Sequence, residues 1–175
     1  MNTKRQEELV NGYLAALDED TRPVYRELTR YLSELGYYPH AQRSYIVFKH
    51  DLHNKQMAKM GTSTRKNQTP KPYFALRFSA CRGYSPRFAD IARAAIEKSP
   101  SHAAKCVDGG CGYCQGEPWS HVYTLTLGGE RRTHCGAYVQ EIPNVAAEDL
   151  TEIQGLMAEE HRYLLRHEAG AGESN

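Results

Sequence analysis

Five cysteines stand at positions 81, 106, 111, 114 and 135, and four of them follow the pattern Cys106-x4-Cys111-x2-Cys114, twenty residues, then Cys135. Four thiolates satisfy a tetrahedral zinc ion, with Zn–S distances near ~2.3 Å. A tight Cys-x-x-Cys turn can present two of them to one ion. In Cys106-Val-Asp-Gly-Gly-Cys-Gly-Tyr-Cys114 the glycines at 109, 110 and 112 allow the positive φ angles that such a knuckle needs. Structural zinc held by Cys106, Cys111, Cys114 and Cys135 is therefore the first expectation.

Rival chemistries use the same residues. A disulfide is disfavoured by the odd cysteine count and by a cytoplasmic setting. Thioredoxin-like spacing in Cys111-Gly-Tyr-Cys114 allows thiol–disulfide exchange. That chemistry usually starts a helix whose N-terminus lowers the thiol pKa, whereas Gln115-Gly-Glu-Pro118 has loop composition. An iron–sulfur cluster could also take four thiolates. His102, His121 or His134 could each replace one ligand. His134 and Cys135 are adjacent, so on a strand only one of them faces the ion. Cys81, in Ala80-Cys81-Arg82-Gly83, reads as a buried free thiol.

Four protein ligands close a zinc site, whereas a catalytic zinc keeps one position open. The chain contains no HExxH, GxSxG, Walker or GxGxxG motif. These observations point away from catalysis and towards a staple for a glycine-rich loop.

The elements that must position the cysteines follow from periodicity. Thr3 and Gln6 have capping-box spacing ahead of Leu9, Tyr13 and Leu17. Asp20 or Thr21 caps a second helix with Pro23 in its first turn and a stripe of Val24, Leu28, Tyr31, Leu32 and Leu35. Gly36 stops it, and Tyr37-Tyr38-Pro39 leads away extended. The period then changes to two. Strands are expected at 44–49, around Gln56–Met60, and from Tyr73, with Phe74, Leu76, Phe78 and Ala80 on one face. Residues 61–72 have loop composition. Ser85-Pro86 opens a helix ending at Ser99-Pro100. A hairpin pairs 121–127 with 131–139 around Gly128-Gly129, setting Cys135 opposite Val122 beside the cysteine loop. A last helix spans about 148–167, acidic at its start and basic at its end.

The order is ααβββα, a cysteine-rich zinc loop, then ββα: an α+β domain in which helices cover an antiparallel sheet. One domain over 1–168 is expected, with the zinc knuckle at 106–135 and a frayed tail at 169–175. No apolar run approaches the ~20 residues of a membrane span, and the first residues lack a secretory signal's apolar core. A cytoplasmic location and no membrane partner are the corresponding expectations.

Charge is unevenly spread. The chain has 22 Lys+Arg and 21 Asp+Glu, for a net +1, yet residues 39–99 alone hold twelve cations and three anions. The flanking segments are acidic, so the basic middle is either neutralised internally or turned towards an anionic partner. There are 12 Tyr against 4 Phe and 1 Trp, and tyrosine suits half-wet binding surfaces. Tyr45, Lys49, Tyr73 and Arg77 are expected to share one sheet face able to stack a planar ligand or take an anionic one. Lys55, Lys59, Arg65, Lys66 and Lys71 would line its rim. Single-stranded nucleic acid is an alternative partner, since aromatics and cations fit it, although no known module is recognisable.

The run Lys105-Cys106, Gly110-Cys111, Cys114 and Cys135-Gly136-Ala137-Tyr138, followed by a long amphipathic helix, resembles small uncharacterised bacterial proteins with a cysteine-rich loop before a β-hairpin. The resemblance covers the chain from Lys105 onward and implies no activity. The combined expectation is a zinc-stabilised ligand-binding or regulatory module, with a redox protein using Cys111 and Cys114 as the alternative.

Overall fold

A computed structural model describes residues 3–63, 70–111, 113–114 and 116–169. Among the described residues four α-helices, α1 (Lys4–Ala15), α2 (Thr21–Glu34), α3 (Pro86–Lys98) and α4 (Leu150–Ala169), accompany seven strands. The main sheet orders β1 (Tyr37–Gln42), β2 (Tyr45–His50), β3 (Gln56–Ser63), β4 (Lys71–Leu76) and β7 (Gln140–Ile142), all antiparallel. β5 (Tyr123–Leu127) and β6 (Glu130–His134) form a separate hairpin. The α+β class and the antiparallel sheet are as expected.

Register explains which face the helices cover. Ile46, Met60, Phe74 and Ile142 form one row across β2, β3, β4 and β7, and Phe48, Ala58 and Leu76 form the next. All seven are buried in a single apolar cluster with Val10 and Leu14 of α1, Leu28 and Leu32 of α2, Phe88 of α3, and Ile153 and Met157 of α4. The alternate rows place Tyr45, Gly61 and Tyr73 in line, then Val47, Lys59, Ala75 and Glu141. Side chains alternate across a pleated strand, so these rows belong to the opposite face.

Several boundaries differ from expectation. Tyr37-Tyr38-Pro39 is the start of a full strand, because β1 pairs with β2 along its length. β7 is three residues long, too short to show a period. β3 and β4 extend into the supposed loop, with Thr62 opposite Pro72 and Ser63 opposite Lys71; residues 64–69, including Arg65 and Lys66, lie outside the described residues. The α1 cap holds, with Thr3 Oγ1 accepting from Gln6 N at 3.3 Å. At α2 the acceptor is Asp18, whose Oδ1 takes the Thr21 N–H at 2.7 Å, while Asp20 makes no side-chain cap. The tail from residue 170 lies outside the described residues. Among the described residues no helix is long and apolar enough to cross a membrane.

β6 stops at His134, five residues earlier than the alternation suggests, because Gly136 is wedged against its neighbours. A Cβ there would collide with the His121 carbonyl oxygen and lie 2.5 Å from Ser79 Oγ. Only glycine permits that approach, and it sets the path of the chain just after Cys135.

Candidate functional site

Cys106, Cys111, Cys114 and Cys135 line one cavity of about 250 Å³, together with His102, His121 and Tyr138. Each arrives by a different route. Cys106 sits in a one-turn 3₁₀ helix (Lys105–Asp108) closed by Gly109 at φ 75°. A further turn follows, the Gly110 N–H donating to the Lys105 carbonyl at 3.0 Å, and delivers the exposed Cys111. Cys135 is anchored beyond β6 by its own N–H, which donates to the His102 carbonyl at 2.8 Å. The hairpin register, with Tyr123 opposite His134, carries Cys135 to the place where the chain leaves the cysteine loop, in line with expectation.

All five cysteines are free thiols. Among the described residues no group of three or more His, Cys, Asp or Glu side chains forms a ready metal-holding set. Two of the four thiols, Cys106 and Cys114, nevertheless feel their neighbours electrostatically. Burial pushes Cys106 up, and Cys114, Cys135 and Cys111 add to the rise. Burial also raises Cys114, opposed by Arg77, which hydrogen-bonds its sulfur, and by Lys55. In both, burial is the larger cause and the neighbouring thiols add to it.

The histidines are placed as structural groups. The His121 ring is buried and its Nδ1 lies 2.9 Å from Tyr163 Oη, which also meets Ser120 Oγ at 2.9 Å. His102 stacks on Tyr138, with ring centroids 4.2 Å apart. His134 is buried beside His102, and burial first, then that neighbour, pushes it down to about 4. Cys81 is buried as expected; its Sγ donates to the Leu156 carbonyl at 3.2 Å, and burial followed by Glu160 and Glu159 raises its thiol.

On the second sheet face, the structure brings Tyr45 and Tyr73 together across Gly61. A Cβ at Gly61 would stand 2.9 Å from Tyr45 Cβ and 3.0 Å from Tyr73 Oη. Lys59 Nζ lies 4.8 Å from the Tyr45 ring centre and 5.4 Å from that of Tyr73, within cation–π range of both. Lys49 is half-buried on the same strand as Tyr45. Arg77 is placed elsewhere. It is 1% exposed, and its Nε donates to Glu160 Oε1 at 2.7 Å. Lys55, expected at a rim, is also buried.

Glu160 is the residue that the sequence reading missed. It is wholly buried, accepts from Ala80 N at 2.7 Å and Ser79 Oγ at 3.4 Å, and neutralises Arg77. A signal existed: Glu160 stands at helical spacing within the stripe of Ile153, Met157 and Leu164, where an acidic residue demands a buried partner. Thus Arg77 belongs to a buried charge pair with Glu160, and the second sheet face carries Tyr45, Lys49, Lys59 and Tyr73.

Comparison with protein-family models, with curated proteins and with solved structures finds no match to this chain.

Proposed function

We propose that this protein is a zinc-stabilised binding module in which Cys106, Cys111, Cys114 and Cys135 hold the ion and the sheet face of Tyr45, Lys49, Lys59 and Tyr73 receives an anionic or aromatic small molecule. The observation that supports the reading is that all four cysteines, one in a 3₁₀ turn, two in the Cys-x-x-Cys segment and one at the hairpin end, line one small cavity. Zinc would hold the four sulfurs as thiolates on one dication and tie the cysteine segment to the hairpin. The bound ion would supply structure, since four protein ligands leave no open position for substrate.

The test is metal analysis of protein purified without added zinc, followed by cobalt substitution. One equivalent of zinc and a thiolate-to-cobalt charge-transfer band that weakens in Cys135→Ser support the reading. A folded chain without metal, which takes up no cobalt, refutes it. Binding at the sheet face is tested separately, by titrating small aromatic anions into wild type and Lys59→Gln.

One observation favours a second reading. Cys111 is exposed while Cys114 lies deeper against Arg77, the arrangement of an attacking thiol and its resolving partner. Metal-free protein that cycles reversibly between dithiol and disulfide at Cys111–Cys114 while staying folded would put this redox reading first.

A further inference from the structure

A second cleft, of about 300 Å³, lies between the loop after β4 and the β5–β6 hairpin; Arg82, Tyr84, Trp119, Thr124 and Arg131 contribute to its lining. Its two cations are unusual in their partners. Arg82 Nη1 donates to the carbonyls of Cys81 at 2.8 Å and Ser79 at 3.3 Å, and Nη2 to those of Trp119 at 3.1 Å and Ser120 at 3.3 Å. The Arg131 guanidinium carbon lies over the Trp119 ring, 3.6 Å from its centre. Among the described residues neither side chain has a carboxylate partner. Glu159 accepts the backbone N–H of Arg82, not its guanidinium, at 2.8 Å.

This arrangement fixes two positive charges without neutralising them. Four carbonyls hold Arg82 in one orientation and cancel none of its charge. Stacking on Trp119 immobilises Arg131 while leaving its N–H donors at the ring's edge for another acceptor. The Thr124 and Tyr84 hydroxyls add donors, and the carbonyls of the surrounding loop are already taken up by Arg82. The lining thus offers an excess of fixed donors and positive charge.

We propose that this cleft is an oxyanion site for the phosphate group of a small phosphorylated molecule. Two guanidiniums match the charge of a phosphate dianion. Arg131 can present paired N–H groups to its oxygens, while Arg82, whose four Nη hydrogens are taken by carbonyls, supplies fixed charge and its Nε–H. A single-charged, two-oxygen carboxylate uses this set less fully. The site is separate from both the cysteine cavity and the Tyr45–Tyr73 face.

Trp119 is the only tryptophan in the chain, so fluorescence excited at the red edge, where the 12 tyrosines do not absorb, reports on this cleft. Inorganic phosphate and pyrophosphate are titrated into the full chain, with sodium chloride and sodium acetate at matched ionic strength as controls. The expected result is a saturable change in Trp119 emission with both phosphates, a rise in melting temperature at saturation, and at least tenfold weaker calorimetric binding in Arg131→Gln. Arg5→Gln, at an exposed position of α1 away from both proposed binding surfaces, should bind phosphate as wild type does. A response no different from that of chloride, acetate binding as tight as phosphate, or calorimetric affinity unchanged in Arg131→Gln each overturns the proposal. Arg131 is exposed, so its loss leaves the fold intact, and circular dichroism checks this.

Discussion

Glu160→Met would expose the energetics of the interior charge pair. The wild-type carboxylate, wholly buried, accepts from Arg77 Nε at 2.7 Å and from Ala80 N at 2.7 Å. Removing it strands the Arg77 guanidinium without a counter-charge, a loss of about 3–5 kcal/mol. The Ala80 N–H loses its acceptor as well, worth about 1–3 kcal/mol. The two losses share some relaxation, so the variant should lose at least about 4 kcal/mol, a large part of the ~5–15 kcal/mol that holds a domain folded. In Arg77→Met/Glu160→Met neither charge of the pair remains and only the Ala80 amide is left unsatisfied, so the loss should shrink to about 1–3 kcal/mol. The double variant is therefore expected to be more stable than Glu160→Met alone. Urea unfolding followed by Trp119 fluorescence and by far-ultraviolet circular dichroism measures both, with the denaturant slope checked for constancy. If the double variant lost the sum of the two single losses to within about 0.5 kcal/mol, the side chains would be energetically independent and the argument would be wrong.

Gly136→Ala forces a methyl group against the His121 carbonyl and Ser79 Oγ; backbone gives way less readily than a side-chain tip, so a loss near the upper end of about 1–3 kcal/mol is expected in a thermal melt. Burial, then His50, holds His161 below the ordinary histidine range. Its folded pKa lies under the unfolded value of about 6.5, so the unfolded chain takes up the extra proton and stability is lost as pH falls below about 6.5. Urea midpoints between pH 7.5 and 5 should decline in wild type and decline less in His161→Gln; equal slopes would count against this. In folded protein Cys81 should be the last of the five cysteines to react with iodoacetamide at pH 8, and peptide mapping that finds it labelled as fast as Cys111 would contradict its burial.

Much of the fold was legible because its signals are local. Thr3 and Ser85-Pro86 mark helix starts, Gly128-Gly129 marks a hairpin, and Ile46, Phe48, Phe74 and Leu76 carry the strand period. Elements defined by pairing were harder to read. β1 contains Pro39 and β7 has only Gln140, Glu141 and Ile142, so neither shows a pattern without its neighbour. The gathering of Cys106, Cys111, Cys114 and Cys135 was foreseeable from spacing and hairpin register. The assignment of Arg77 to the ligand face was not safe, because it rested on strand alternation beyond Leu76, where β4 ends. Past that point the guanidinium answers to Glu160, 83 positions away in the chain. The Arg131–Trp119 stack was equally hidden, since nothing local links a hairpin arginine to a tryptophan before it.

The position of β7 has a consequence for assembly. β4 and β7 are neighbours in the sheet, yet residues 77–139, with α3, the cysteine segment and the hairpin, lie between them. The β1–β4 meander needs only nearby contacts and can form as soon as residue 76 is available, whereas the fifth strand must wait until that whole excursion has closed. Loop closure of this length is slow relative to hairpin formation. Refolding should therefore leave the β4 edge transiently bare, so early intermediates would be the aggregation-prone species and anything that speeds closure of the excursion would act as a folding aid.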